Sequence, residues 1–312
     1  MRTVLTNSEG GVGISTTVRA LQQTRPILDA IEQGIWRVEE DTTIHSVGRG
    51  GWPNALGVVE LDASIMDGTT LKSGAVGALQ GYLHPISVAR KVMETLPHVL
   101  LVGDGAARFA AEWDMTPTDN LTPEAIAGWE TWRASQASED TLSRWPNVPL
   151  SDLVRTSADP ITAHGTTNFL ARDTDGHMAV GVSTSGWAWK YPGRLGDSPI
   201  IGAGNYADDR YGAAACVGQG ELAIRAGTAR SVVLYMKMGK TVEDACREAA
   251  RDLADLRRDY VGWVTIHALD RKGNPFVLTC GAREPSKYWI WADGMPEAEQ
   301  RSAVLFDGWP SE

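Results

Sequence analysis

The sequence predicts an α+β fold in which two central β-sheets are covered by layers of helix. Two patterns carry this expectation: segments with apolar residues at helical spacing alternate with short β-rich runs, and tight turns join some of those runs as antiparallel neighbours. Size agrees with it. At 312 residues, 43% hydrophobic and 22% charged, the chain can bury a full core. No break in composition divides it, so a single domain over residues 1–312 is expected.

In chain order, Pro26–Glu40 reads as a helix because Ile27, Leu28, Ile31, Ile35 and Trp36 follow the 3-and-4 spacing of a buried stripe. Gly57–Ile65 reads as a strand, Ser87–Leu96 as a helix and Val99–Gly103 as a strand. Glu112–Ala163 is rich in Pro, Ser, Thr, Asp and Trp, and residues 112–163 are expected to be a poorly ordered, partly helical excursion pinned to the surface by Trp113, Trp129, Trp132 and Trp145. Asn168–Asp173 and His177–Thr184 are two strands joined by the tight turn Thr174-Asp175-Gly176. Gly202–Asp209 reads as a turn-rich acidic loop, and Leu222–Met238 as one apolar-periodic stretch. Thr241-Val242-Glu243-Asp244 resembles a capping box with aspartate in the usual glutamate's place, opening a helix with Val242, Ala245, Ala249 and Leu253 on one side. Trp263–Leu269 and Pro275–Gly281 complete the strands.

Charge and composition exclude several functions. A formal net charge of -10 leaves no basic face for phosphates, so no nucleic-acid partner is expected. Met1–Thr6 reaches glycine and glutamate before an apolar signal core can form, and no apolar run is long enough for a bilayer, so a cytoplasmic location without a membrane partner is expected. Cys216, Cys246 and Cys280 are odd in number and lack ligand spacing, which points to buried apolar side chains rather than disulfides or a metal. The histidines, including His164 and His177, are scattered, and neither a dinucleotide fingerprint nor a phosphate loop is present. No metal and no cofactor are expected.

The residues that point to chemistry begin at His164-Gly165-Thr166-Thr167-Asn168-Phe169, where a threonine sits at a strand start behind a glycine and a long polar loop. A hydroxyl is a poor nucleophile at neutral pH and needs a base within hydrogen-bond reach. A free α-amine, with a pKa of about 7.7–8.0, is such a base. Thr166 would supply both groups once the Gly165–Thr166 bond is cut, giving an α subunit of residues 1–165 and a β subunit of residues 166–312. A Gly-Thr pair also occurs at ordinary loop-to-strand junctions, so the surroundings decide. The hairpin brings Thr184, flanked by Ser183 and Ser185, close to Thr166. Arg194 and Asp197 lie three apart in a glycine-rich loop expected to keep them exposed, either as a surface salt bridge or as a grip for an amino acid head group, carboxylate to the arginine and ammonium to the aspartate. Gly218-Gln219-Gly220-Glu221 precedes a helical stretch and leaves N–H groups free, with Gly218 placed to stabilise an oxyanion.

Taken together, these residues resemble glycosylasparaginase (aspartylglucosaminidase) and its relatives, the threonine asparaginases and isoaspartyl peptidases of the N-terminal nucleophile hydrolases. The resemblance includes Ser46–Gly51, Leu61–Gly68, Gly74–Gly77 and Val88–Val92, and runs from His164 to about Leu253. It implies a four-layer αββα sandwich, a nucleophile at Thr166 assisted by the hydroxyl of Thr184, a substrate grip by Arg194 and Asp197, and a small asparagine or β-aspartyl amide as substrate. It also implies a dimer of cleaved αβ heterodimers.

Three departures bear on the substrate. Val217 stands where the family has a threonine before the oxyanion glycine; residue 165 is glycine, as in the asparaginase and isoaspartyl peptidase branch, rather than the aspartate of glycosylasparaginases; and Thr6–Gly11 holds Ser8 where the latter place a tryptophan. The general similarity from Leu61 to Gly77 leans towards a glycosylasparaginase-like activity, with an isoaspartyl peptidase or L-asparaginase as the alternative and a binding-only relative as the third reading.

Overall fold

Buried strands flanked by amphipathic helices define the computed structural model, which describes residues 1–157, 165–256 and 262–309. The first half contains β1 (Thr3–Asn7), α1 (Gly11–Gln22), α2 (Ile27–Glu40), β2 (Leu61–Asp67), β3 (Ser73–Leu79), α3 (Pro85–Thr95), β4 (Leu100–Val102) and α4 (Gly103–Glu112). Then follow α5 (Pro123–Gln136), α6 (Glu139–Ser143), α7 (Ser151–Ser157), β5 (Thr167–Arg172), β6 (Met178–Thr184), β7 (Asn205–Asp208) and β8 (Gly212–Gly218). The remainder is α8 (Gly220–Ala226), α9 (Thr228–Lys237), α10 (Val242–Leu256), β9 (Val264–Asp270), β10 (Pro275–Cys280), β11 (Lys287–Ala292), β12 (Glu299–Ser302) and β13 (Val304–Leu305).

These strands form two sheets, one in the order β12-β11-β1-β5-β6-β2-β3-β4 and the other β13-β10-β9-β8-β7. Because successive strand residues face opposite ways, β5 serves two apolar clusters at once. Phe169 points to the cluster that holds Ile31 and Ile35 of α2 and Val88 and Val92 of α3. Leu170 points the other way, into a cluster that joins Leu5, Val180 and Val182 to Ala213, Ala215 and Leu269 of the second sheet. The alternate residues of β8, Ala214 and Cys216, meet Val232 and Val233 of α9 and Ala249 and Leu253 of α10. Each large apolar side chain fully buried in these clusters contributes roughly 1.5–3 kcal/mol, and the strand that leads from Thr166 is therefore fixed from both faces.

Several sequence expectations are met: α2, α3, α10 and the β5–β6 hairpin fall where the patterns place them. The N–H of Asp244 donates to Thr241 Oγ1 at 3.1 Å, the first half of a capping box, while the Asp244 carboxylate accepts from the Thr241 hydroxyl at 2.7 Å rather than from its backbone N–H. Cys216, Cys246 and Cys280 are free and buried.

Others need correction. The expected strand from Gly57 begins only at Leu61, because Gly57 has φ 81° and turns the chain. The stretch Leu222–Met238 is two helices, broken at Gly227 with φ 59°, a left-handed conformation that ends α8. The acidic loop contains β7. Segment 112–163, expected to be poorly ordered, carries α5, α6 and α7 over its described part. Trp132 and Leu150 pack there on Ala55, and Trp132 stacks on Trp189 with ring centroids 5.5 Å apart. His164 lies outside the described residues. Among the described residues, no helix is long and apolar enough to cross a membrane.

Candidate active site

Thr166 immediately precedes β5, between β1 and β6. The hairpin register pairs Thr167 with Ser183, which sets Thr184 beside the Gly165–Thr166 junction. Thr184 Oγ1 lies 2.8 Å from the Gly165 carbonyl oxygen and 3.2 Å from that of Ser46, and it accepts the Gly186 N–H at 2.8 Å. The carbonyl on the other side of Thr166 accepts from Asn7 Nδ2. Asn7 is itself held, its Oδ1 accepting the Asn168 N–H at 3.2 Å. Hydrogen-bond donors therefore bracket the peptide unit before Thr166 and the carbonyl after it, and Thr166 is 6% exposed. Gly165 cannot carry a side chain here, since a Cβ would come within 2.5 Å of Ser46 Cβ and Oγ.

Arg194 and Asp197 are positioned by the loop after β6, but they are neither exposed nor paired as a surface salt bridge. Asp197 is 5% exposed, enclosed by glycines: a Cβ at Gly204 would fall 2.4 Å from the Asp197 carbonyl oxygen, and one at Gly220 2.7 Å from its N and Oδ1. Burial pushes the Asp197 carboxyl up to about 7, against the lowering pull of its own backbone N–H and of Arg194. Arg194 instead grips Glu221 of α8, Nε and Nη2 both reaching Oε1 at 2.9 and 2.7 Å, and lies over the Trp187 ring at 4.4 Å. Beneath them sits buried Lys190, donating to the Glu60 carbonyl oxygen at 3.2 Å and lying 3.9 Å from the Glu60 and 4.0 Å from the Asp62 carboxylates. Burial lowers the Lys190 pKa, opposed by the two carboxylates. Glu60 also accepts the Gly193 N–H at 3.0 and 3.1 Å, which ties the Arg194 loop to the start of β2.

Gly218 ends β8 with φ 119°, and a Cβ there would come within 2.2 Å of the Trp263 carbonyl oxygen, so only glycine fits. Val217, 4% exposed, lines a cavity of about 230 Å³ with Asn7, Ser8, Glu9, Thr265 and His267, which connects the Gly218 region to the end of β1. His267 Nδ1 is 3.2 Å from Asn168 Nδ2, and burial drives its pKa down to about 3, so the ring is neutral.

The arrangement can thus polarise a carbonyl beside a threonine hydroxyl and present a cation and an anion to a zwitterionic head group. Asn7, Glu221, Lys190 and His267 belong to it without having been singled out by sequence. Glu221 had a local signal, its place in the first turn of a helix behind two glycines; Asn7 and His267 had none, since each enters by pairing across a sheet. Asp173, Asp175 and His177 cluster at the far end of β5, but there Asp173 Oδ1 already accepts the N–H groups of Asp175 and His177 in the hairpin turn.

A family model described as asparaginase matches residues 12–294, a span that includes the tryptophan-rich segment. The chain is 37% identical over 263 residues to an N(4)-(beta-N-acetylglucosaminyl)-L-asparaginase of Elizabethkingia miricola, covering 82% of this chain and 71% of that one. It is 38% identical over 277 residues to a plant-type L-asparaginase of Thermococcus kodakarensis, covering 87% and 85%. A plant-type L-asparaginase of Pyrococcus furiosus is 36% identical over 272 residues, with the same coverage of 87% and 85%.

Proposed function

The chain belongs to the asparaginase family, and on that premise we propose that it is a threonine amidohydrolase that cuts itself between Gly165 and Thr166 and then hydrolyses the β-amide of asparagine derivatives. The observation that carries this reading is the 2.8 Å hydrogen bond from the Thr184 hydroxyl to the Gly165 carbonyl oxygen. That oxygen is the one on which negative charge develops when a hydroxyl attacks the preceding peptide bond, and a positioned donor there lowers the barrier.

After scission the free amine of Thr166 takes the proton of its own hydroxyl as Oγ attacks the β-carbonyl of the substrate. Gly218 N–H and Thr184 hold the oxyanion, the amine product leaves, and water releases aspartate from the acyl-enzyme. Arg194 takes the substrate α-carboxylate on the edge that Glu221 leaves open, and Asp197 takes the α-ammonium. The raised pKa of Asp197 suits that task, because the ammonium supplies the counter-charge that burial withholds. The order of apolar clusters, helices on each outer side and one cluster between the sheets, supports the four-layer αββα sandwich of N-terminal nucleophile hydrolases. Fragments 1–165 and 166–312 remain associated through β1, which pairs with both β5 and β11, and two such heterodimers form the assembly.

The test is aspartate release by the processed protein from N4-(β-N-acetylglucosaminyl)-L-asparagine, a β-aspartyl dipeptide and L-asparagine. Release from at least one is expected, and its rank order names the substrate. Val217, apolar where the family has a hydroxyl, favours one other reading, a binding-only relative. Processed protein that releases aspartate only as Val217→Thr would establish that reading and overturn the first.

A further inference from the structure

Self-cleavage differs from turnover in one respect: before the bond is cut, Thr166 has no free amine, so another group must accept and return the proton. Gly165, without a side chain, cannot provide it. The carboxyl of Glu9, in the turn after β1, borders the space where a Gly165 side chain would be, with Oε1 3.0 Å from the point a Cβ would occupy, beside Ser46 Cβ and Oγ at 2.5 Å. Its other oxygen accepts from Asn7 Nδ2, the amide that also holds the Thr166 carbonyl oxygen, and from the Ser8 hydroxyl at 2.9 Å. Glu9 is thereby tethered to the junction by a residue that also fixes the junction. The charged or titratable side chains that share its cavity are Lys287 of β11 and neutral His267 of β9.

We propose that Glu9 is the acid–base group of the Gly165–Thr166 scission, an assignment that rests on the self-cleavage reading above. The Thr166 Oγ proton passes to the Glu9 carboxylate as Oγ bonds to the Gly165 carbonyl carbon, whose oxygen is held by Thr184. The C–N bond then breaks, the Glu9 carboxylic acid returns the proton to the departing nitrogen, and an ester with a free Thr166 amine results. Water hydrolyses the ester to the Gly165 carboxylate. Desolvation raises the Glu9 pKa above that of an ordinary glutamate, which makes its carboxylate a stronger base for taking the hydroxyl proton.

Full-length precursor, made under conditions that suppress scission, is followed by mass spectrometry as a function of pH for the wild type, Glu9→Gln, Glu9→Asp and Glu9→Ala, with circular dichroism to establish folding. We expect Glu9→Gln to slow scission at least ~100-fold, the lower bound for losing a general acid–base group, and to flatten the rise of the rate with pH that a carboxylate base would give the wild type. Glu9→Asp should retain part of the rate, and formate should restore scission to Glu9→Ala, whose truncation leaves room for it. A wild type that stays intact would defeat the self-cleavage reading itself. A wild type that cleaves while Glu9→Gln cleaves within about threefold of it, with an unchanged pH profile, would overturn the assignment to Glu9 alone. If Glu9→Gln does not fold, formate rescue of folded Glu9→Ala decides, and its failure overturns the assignment.

Discussion

Replacing Asp197 by Asn should make the folded chain more stable and the enzyme worse. The carboxyl is pushed from 3.8 up to about 7, chiefly by burial. At about 1.4 kcal/mol per unit, holding it ionised above pH 7 costs the fold ~4 kcal/mol. Below the unfolded pKa both states are protonated and nothing is lost. Between about pH 4 and about pH 7 the unfolded carboxyl ionises while the folded one stays neutral, so stability falls as pH rises. Asparagine keeps the shape and never ionises. Measured by urea unfolding in a Thr166→Ala background that keeps the chain intact, the advantage of Asp197→Asn should grow from ~1.5 kcal/mol near pH 5 to ~4 kcal/mol near pH 8. An advantage that does not change with pH, or a variant less stable than its parent at pH 8, would refute the burial argument. In the Thr166 protein the same substitution should abolish grip on the substrate ammonium, the pattern of a site strained for its ligand.

Other substitutions separate the roles of the remaining residues. Thr184→Val, nearly isosteric but without the donor to Gly165 O, should slow scission by roughly 10²–10³, read by mass spectrometry of fresh precursor. Arg194→Ala should raise KM about 10–100-fold, the loss of a charge-assisted hydrogen bond to the substrate, with kcat changed far less; unchanged steady-state kinetics would reject its role. For turnover by processed protein, kcat/KM should fall as pH drops below about 7, because Asp197 then takes up a proton and no longer attracts the ammonium; a flat profile through that range would detach Asp197 from substrate binding.

Much of the central geometry was legible because it is local. The turn Thr174-Asp175-Gly176 between two apolar runs dictates a hairpin, and the hairpin alone places Thr184 next to Thr166. The stripes of α2 and α10 were equally plain. What escaped depends on close approach. Helix α1 begins Gly-Val-Gly, which reads as a breaker, yet a Cβ at Gly13 would come within 2.1 Å of the Gly34 carbonyl oxygen, so Gly13 lets α1 and α2 touch, while a Cβ at Gly11 would meet Trp289 of β11 at 2.4 Å. Strand β8, Gly-Ala-Ala-Ala-Cys-Val-Gly, has low strand propensity because small residues are needed where two packed layers meet on it. The loop of Arg194 and Asp197 reads as exposed for the same reason: its glycines signal a turn, whereas the burial of Asp197 comes from Gly204, just before β7, and Gly220, at the start of α8. Glu9 lay in a segment with no pattern at all, and only the pairing of β1 with β5 brings it to Gly165.

The most direct test of the whole account is the intact mass and N-terminal sequence of purified, matured wild-type protein beside Thr166→Ala. Two fragments are predicted in the wild type, the second beginning Thr-Thr-Asn-Phe, and one uncut chain in the variant. A wild type that remains a single chain after prolonged incubation, or one cut at any other bond, would contradict it.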